Sequence, residues 1–126
     1  MSIVDARLEC SNAQALTATA DSTNVIDLTG TALQVGAGQP LYMHFNVGVA
    51  ADFTSSDETY SFSVSTGSAA SLGTALATRA IVAGTLVAGY SFTIAVPTTG
   101  MLRYIGVEYV LAGTSPTITV DAYLSD

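Results

Sequence analysis

Leu41-Tyr-Met-His-Phe-Asn-Val-Gly-Val49 is the stretch that decides the fold. Every second residue, Leu41, Met43, Phe45, Val47 and Val49, is apolar, while Tyr42, His44, Asn46 and Gly48 fall between them. Successive side chains of a strand point to opposite faces, so this alternation predicts a half-buried β-strand. The same period recurs down the chain. Tyr60, Phe62 and Val64 alternate with Ser61, Ser63 and Ser65, and Tyr90, Phe92, Ile94 and Val96 repeat the pattern up to Pro97. Proline lacks the N–H that a ladder needs and ends that strand. Ile105, Val107, Tyr109 and Leu111 follow, with Tyr104, Gly106, Glu108 and Val110 on the other face. The last strand is expected from Thr117 to Leu124, with Ile118, Val120, Ala122 and Leu124 inward and Thr119, Asp121 and Tyr123 outward.

Ala15 to Thr19, Asn24 to Leu28 and Leu76 to Val82 are weaker strand candidates. Turn-forming clusters separate the strands, at Gly36–Pro40, Thr54–Asp57, Thr66–Ser68, Thr98–Gly100 and Gly113–Pro116. About eight short strands at this spacing indicate an all-β, antiparallel sandwich or barrel. Ser68 to Ala77 has room for one short helical turn at most. Met1 to Gln14 shows no clear period. It reads as a strand of the domain's own sheet, as a single helical turn, or as an arm that adds to a neighbour's sheet.

The 126 residues suit a single domain, 1–126, and neither a linker nor a repeat divides them. Ten acidic residues face three basic ones, Arg7, Arg79 and Arg103, for a net charge of −7 with no lysine. That balance opposes nucleic-acid binding, which draws its affinity from Lys and Arg at phosphates. It equally opposes anionic lipid surfaces. The segment Met1 to Cys10 carries Asp5, Arg7 and Glu9, unlike the apolar run of a signal peptide. Ala80 to Val96 is too often interrupted by Gly, Ser and Thr to span a bilayer. A soluble protein with a neutral or basic partner is expected.

The residue inventory is poor in catalytic equipment. His44 is the single histidine and lies within a predicted strand, and Cys10 is the single cysteine, so no internal disulfide is available. A Ser–His–carboxylate triad would have to be built on His44, yet no Gly-x-Ser-x-Gly elbow is present. One His and one Cys fall short of a zinc ligand set. Asp52, Asp57 and Glu58 share one loop but lack EF-hand spacing, and a solvated acidic loop is expected there in place of a calcium site. Gly36-Ala-Gly38 precedes a strand and is followed by no lysine, which excludes a phosphate loop. Paired carboxylates for glycoside hydrolysis stay formally open among Glu9, Glu58 and Glu108. No enzyme activity, cofactor or metal is expected. Tyr60, Phe62, Tyr90 and Phe92 share the apolar phase and are assigned to the core. Tyr42, Tyr104 and Tyr123 fall on the opposite phase, and with Arg103 they suggest a protein interface.

Two stretches resemble a known family. Asp5-Ala-Arg-Leu-Glu-Cys-Ser-Asn-Ala-Gln-Ala-Leu-Thr-Ala-Thr-Ala20, continuing through Ser22-Thr-Asn-Val-Ile-Asp-Leu28, is similar to the opening of a family of phage capsid cement, or decoration, proteins of tailed podophage-like viruses. Gly100-Met-Leu-Arg-Tyr-Ile-Gly-Val-Glu-Tyr109, with Gly113 to Leu124 after it, resembles that family's ending. The resemblance implies a jelly roll of about eight strands with residues 1–14 as an interface arm. It implies a homo-dimer or homo-trimer on the outer capsid surface of the virion, made in the host bacterial cytoplasm. Such a protein bridges major capsid protein subunits and stabilises the head. The interface expected on this basis comprises Arg7, Tyr42, His44, Asp52, Asp57, Glu58, Arg103, Tyr104 and Tyr123. Two other readings stay open, a carbohydrate-binding or adhesin-like β-sandwich of a phage tail or bacterial surface, and a small β-sandwich hydrolase using His44.

Overall fold

A computed structural model describes residues 9–27, 41–97 and 102–125. The alternation at 41–49 becomes strand β4, Tyr42–Val49, preceded in the chain by β1 (Glu9–Leu16), β2 (Ala20–Asp21) and β3 (Ile26–Asp27) and followed by β5 (Thr59–Gly67). Downstream lie β6 (Thr74–Ile81), β7 (Ser91–Ala95), β8 (Tyr104–Ala112) and β9 (Ile118–Ser125). One sheet has the order β1-β9-β4-β7 and the other β2-β8-β5-β6, with β3 also paired to β8. All pairings are antiparallel.

β2 and β3 pair with the same strand and act as one interrupted strand, held across the break by Ser22. Its N–H donates to Val107 O at 2.7 Å, and its hydroxyl accepts from Val107 N–H at 3.1 Å. Counted so, the described residues hold eight strands, nested like one long hairpin: β5 with β6, β4 with β7, β2/β3 with β8, and β1 with β9. Rolling that hairpin sets β9 beside β4 and β8 beside β5, which is the double Greek key of a jelly roll.

The two inner faces meet in an aromatic centre. Phe45 and Phe92 are cross-strand partners in the first sheet, stacked at 4.7 Å. Phe62 and Tyr109 are partners in the second, edge to face at 5.9 Å. Phe62 meets Phe92 edge-on at 5.0 Å across the sandwich, a geometry ring quadrupoles favour. Met43, Val47, Val64, Ile105, Val107, Val120 and Ala122 complete a fully buried core around them.

Several expectations need correction. The weak first candidate, Ala15 to Thr19, is instead Glu9–Leu16, whose pairing with β9 shifts register twice: between Glu9 and Ser11, which leaves both Cys10 and Ser11 buried, and between Ser11 and Gln14, where Ala13 adopts φ 49°. A bulge adds a residue to one strand only, so it breaks the period of two. Residues 9–14 thus belong to the domain's own sheet, not to an arm, while residues 1–8 lie outside the described residues. A further register shift between Val47 and Val49 turns Val49 outward. No helix forms at 68–77. That loop folds over the outer face of the second sheet, where Leu72 and Val25 pack so closely on Gly106 that a Cβ there would lie 2.8 Å from Leu72 Cδ1. Ser63 and Ser65, on the same face as Gly106, are buried there, and Thr66, opposite Ile105, is buried on the inner face, so β5 is covered on both faces. Among the described residues a helical turn lies later, a 3-10 turn at Ala83–Thr85.

Candidate functional site

The strand register sorts the expected interface residues onto the two ends of the sandwich. At one end Tyr42 pairs with Ser125 and Ala95, and Asp27 and Gly67 both pair with Tyr104. At the other, Val49, Thr59, Ile81 and Ala112 lead into the loops 50–58, 82–90 and 113–117.

The first end is aromatic. His44 and Tyr123 are cross-strand partners on the outer face of the first sheet, stacked at 5.0 Å, and Tyr42 tilts against His44 at 6.4 Å. His44 Nε2 is buried without a hydrogen-bond partner. A hollow of about 330 Å³ opens between His44, Asn46, Thr93 and Tyr123. Arg103 and Tyr104 are on the other sheet, so the outward tyrosines and Arg103 form two patches, not one face. Arg103 lies over the Tyr104 ring at 5.1 Å and forms a two-pronged pair with Asp27, 3.0 Å on each arm. That carboxylate raises the guanidinium's pKa further and staples β3 to β8. Asp27 was not singled out in the sequence, since only the register Asp27–Tyr104 brings it beside Arg103.

The second end holds the acidic loop, and its carboxylates are not simply solvated. Asp52 accepts from the Thr54 hydroxyl, while its backbone bonds Thr117 O through N–H at 2.9 Å. The Tyr60 hydroxyl donates to Asp52 O at 2.6 Å and accepts from Thr117 N–H at 3.2 Å, so a core tyrosine ties two loops together. Asp57 accepts from the N–H and hydroxyl of Thr114, at 3.0 and 2.9 Å, and these bonds hold its carboxyl below the usual range. Glu58 is 6% exposed. Its Oε1 accepts from Ser55 N–H at 3.1 Å, and its Oε2 has no partner.

Glu58 lines a pocket of about 440 Å³ whose walls are mostly apolar, from Phe53, Ile81, Val82 and Ala83. Phe53 and Val82 are 53% and 77% exposed, and Val49, at the end of β4, and Val87 are 60% and 53% exposed. Sequence reasoning missed this cluster because apolar residues in loops show no period. Cys10, on β1, is wholly buried, and burial pushes its thiol up to about 12. Among the described residues no three His, Cys, Asp or Glu side chains gather as metal ligands, and no helix is long and apolar enough to cross a membrane. Arg7 lies outside the described residues.

A family model described as Bbp16 matches residues 10–124. No curated protein matches the chain.

Proposed function

The chain belongs to the Bbp16 family, a phage-associated family, and we propose that it is a structural virion protein, a capsid cement protein that binds the outer surface of the phage head. In this reading it self-associates as a dimer or trimer and bridges neighbouring major capsid protein subunits. The observation that carries the proposal is the two-ended surface. Strands of eight or nine residues, at about 3.3 Å per residue, separate the aromatic end from the acidic, apolar end by roughly 26 Å. A clamp needs two contact regions on one rigid body. Here a buried aromatic core and continuous antiparallel ladders hold the two regions at a fixed distance.

The likeness of the N-terminal motif to cement proteins supports the same reading. So does the chemistry of the ends: aromatic rings and exposed valines bury apolar area on contact, and acidic groups favour a basic partner. Many identical contacts on a symmetric shell stabilise the assembled state selectively. The test is co-sedimentation with expanded, empty phage heads, alongside analytical ultracentrifugation of the free protein. Binding at low and high salt together with self-association is the expected result, and absence of head binding in both salts overturns the proposal.

A further inference from the structure

The pocket between the loops 50–58 and 82–90 combines three features that a purely structural loop junction does not require. It is large enough for a side chain of a partner, its walls are mostly apolar, and Glu58 among its lining residues has a buried, unbonded carboxylate oxygen. A polar atom withdrawn from water without a partner costs free energy that a bound donor restores. Among the described residues no cation pairs with Glu58, since Arg79 lies over the Phe92 ring and Arg103 pairs with Asp27. Asp52 and Asp57, in the same loop as Glu58, add negative charge around the pocket. Arginine and lysine match this arrangement, because their aliphatic stems pack on apolar surface while the head group stays hydrogen-bonded.

We propose that this pocket seats a basic side chain, arginine or lysine, of a partner protein. The stem packs on Phe53, Ile81 and Val82, and the charged head donates to Glu58 Oε2. The inference deepens the capsid-binding reading and rests on it for the identity of the partner, but the pocket's chemistry is testable on the isolated protein.

The experiment is an NMR titration of the ¹⁵N-labelled full chain with n-propylguanidinium and n-butylammonium, against neutral 1-butanol. Saturable shifts confined to Phe53, Glu58, Ile81, Val82 and Gly84 are expected with either cation. Butanol should bind about tenfold more weakly, the loss of one charge-assisted hydrogen bond. Glu58→Gln keeps an acceptor for Ser55 N–H and should weaken cation binding by a similar factor. Should that variant fail to fold, Gly84→Phe decides the matter, because a Cβ at Gly84 meets nothing within 4 Å and the ring would fill the pocket mouth. Absence of saturable shifts with both cations, equal binding of butanol, or undiminished binding to Gly84→Phe overturns the proposal. Co-sedimentation separates the two readings. Heads that bind Gly84→Phe as well as the parent remove the pocket from the interface and leave the cement function. Cation binding by a protein that ignores heads does the reverse.

Discussion

The Ser11 hydroxyl lies 2.7 Å from the Tyr109 hydroxyl, a buried hydrogen bond between residues 98 positions apart that joins β1 of one sheet to β8 of the other. Ser11 also donates to Gln14 Oε1 at 2.6 Å, so the bulge of β1 and the opposite sheet share one polar node inside the core. Tyr109→Phe removes one partner and is expected to cost about 1–3 kcal/mol, because the Ser11 hydroxyl stays buried with a single bond. Ser11→Ala combined with Tyr109→Phe should cost less than the sum of the single changes. Urea unfolding of the four proteins measures the coupling, and strict additivity would contradict a direct bond.

Cys10 titrates from an ordinary value of 9.0 in the unfolded chain to about 12 in the fold, chiefly through desolvation. Above pH 9 the unfolded chain sheds a proton that the folded one keeps, so stability is complete below pH 9 and falls as pH rises toward 12. The slope from this group is at most about 1.4 kcal/mol per pH unit. Burial raises the Tyr109 hydroxyl in the same direction. Cys10→Ala should flatten the decline between pH 9 and 10 in denaturant melts. The native thiol should also resist aromatic disulfide reagents at pH 8 and react fully once unfolded.

Gly113 holds φ +101° and is pressed against the backbone of the acidic loop, where a Cβ would lie 2.6 Å from Glu58 Cα and closer still to Asp57 O. Gly113→Ala therefore meets both a left-handed backbone and a clash with main chain that cannot swing away. A loss of about 2–4 kcal/mol is expected by thermal unfolding. Gly84→Ala, with open space at its Cβ, is the matched control and should change stability little.

Asp57→Asn weakens the bonds to Thr114 that lower its carboxyl's pKa. Hydrogen exchange at Thr114 should accelerate in the variant. In the parent the same acceleration should appear on acidification, because the stabilisation is present above the ordinary carboxylate value and is lost as pH falls through the depressed one. Exchange in the β5–β8 ladder should stay unchanged.

Tyr123→Ala and Tyr42→Ala trim the aromatic end without opening the core, since both rings lie on the outer face of the first sheet. Near-parental melting temperatures are expected together with a loss of head binding of about tenfold or more for the stronger anchor. Equal head binding by both variants would remove this end from the interface.

Much of the fold was legible because alternation is local. Phe45, Phe62, Val107 and Val120 announce their inward direction through their immediate neighbours, and each is buried as expected. β1 was illegible for a local reason as well, since the bulge at Ala13 erases the period that would have marked it. Of the candidate site, the period places Tyr42, Tyr104 and Tyr123 together on the outward phase, but phase cannot tell which sheet a strand joins. Tyr104 consequently belongs to a different patch from the one its period suggested. Glu58 read as a solvated loop residue, and its burial depends on loop 82–90 folding against its own loop, as in the 2.9 Å bond from Ala51 N–H to Leu86 O.

The sequence by itself determined that this is a β protein and which side of each well-patterned strand faces the core. These are properties of composition and of near neighbours along the chain. Only the tertiary structure decided the jelly-roll strand order, the burial of Ser65 beside Gly106 on the face where Leu72 packs, and the pocket around Glu58. Each of these rests on contacts between segments far apart in the chain, where strand pairing and loop packing select one arrangement among many that the same alternation allows.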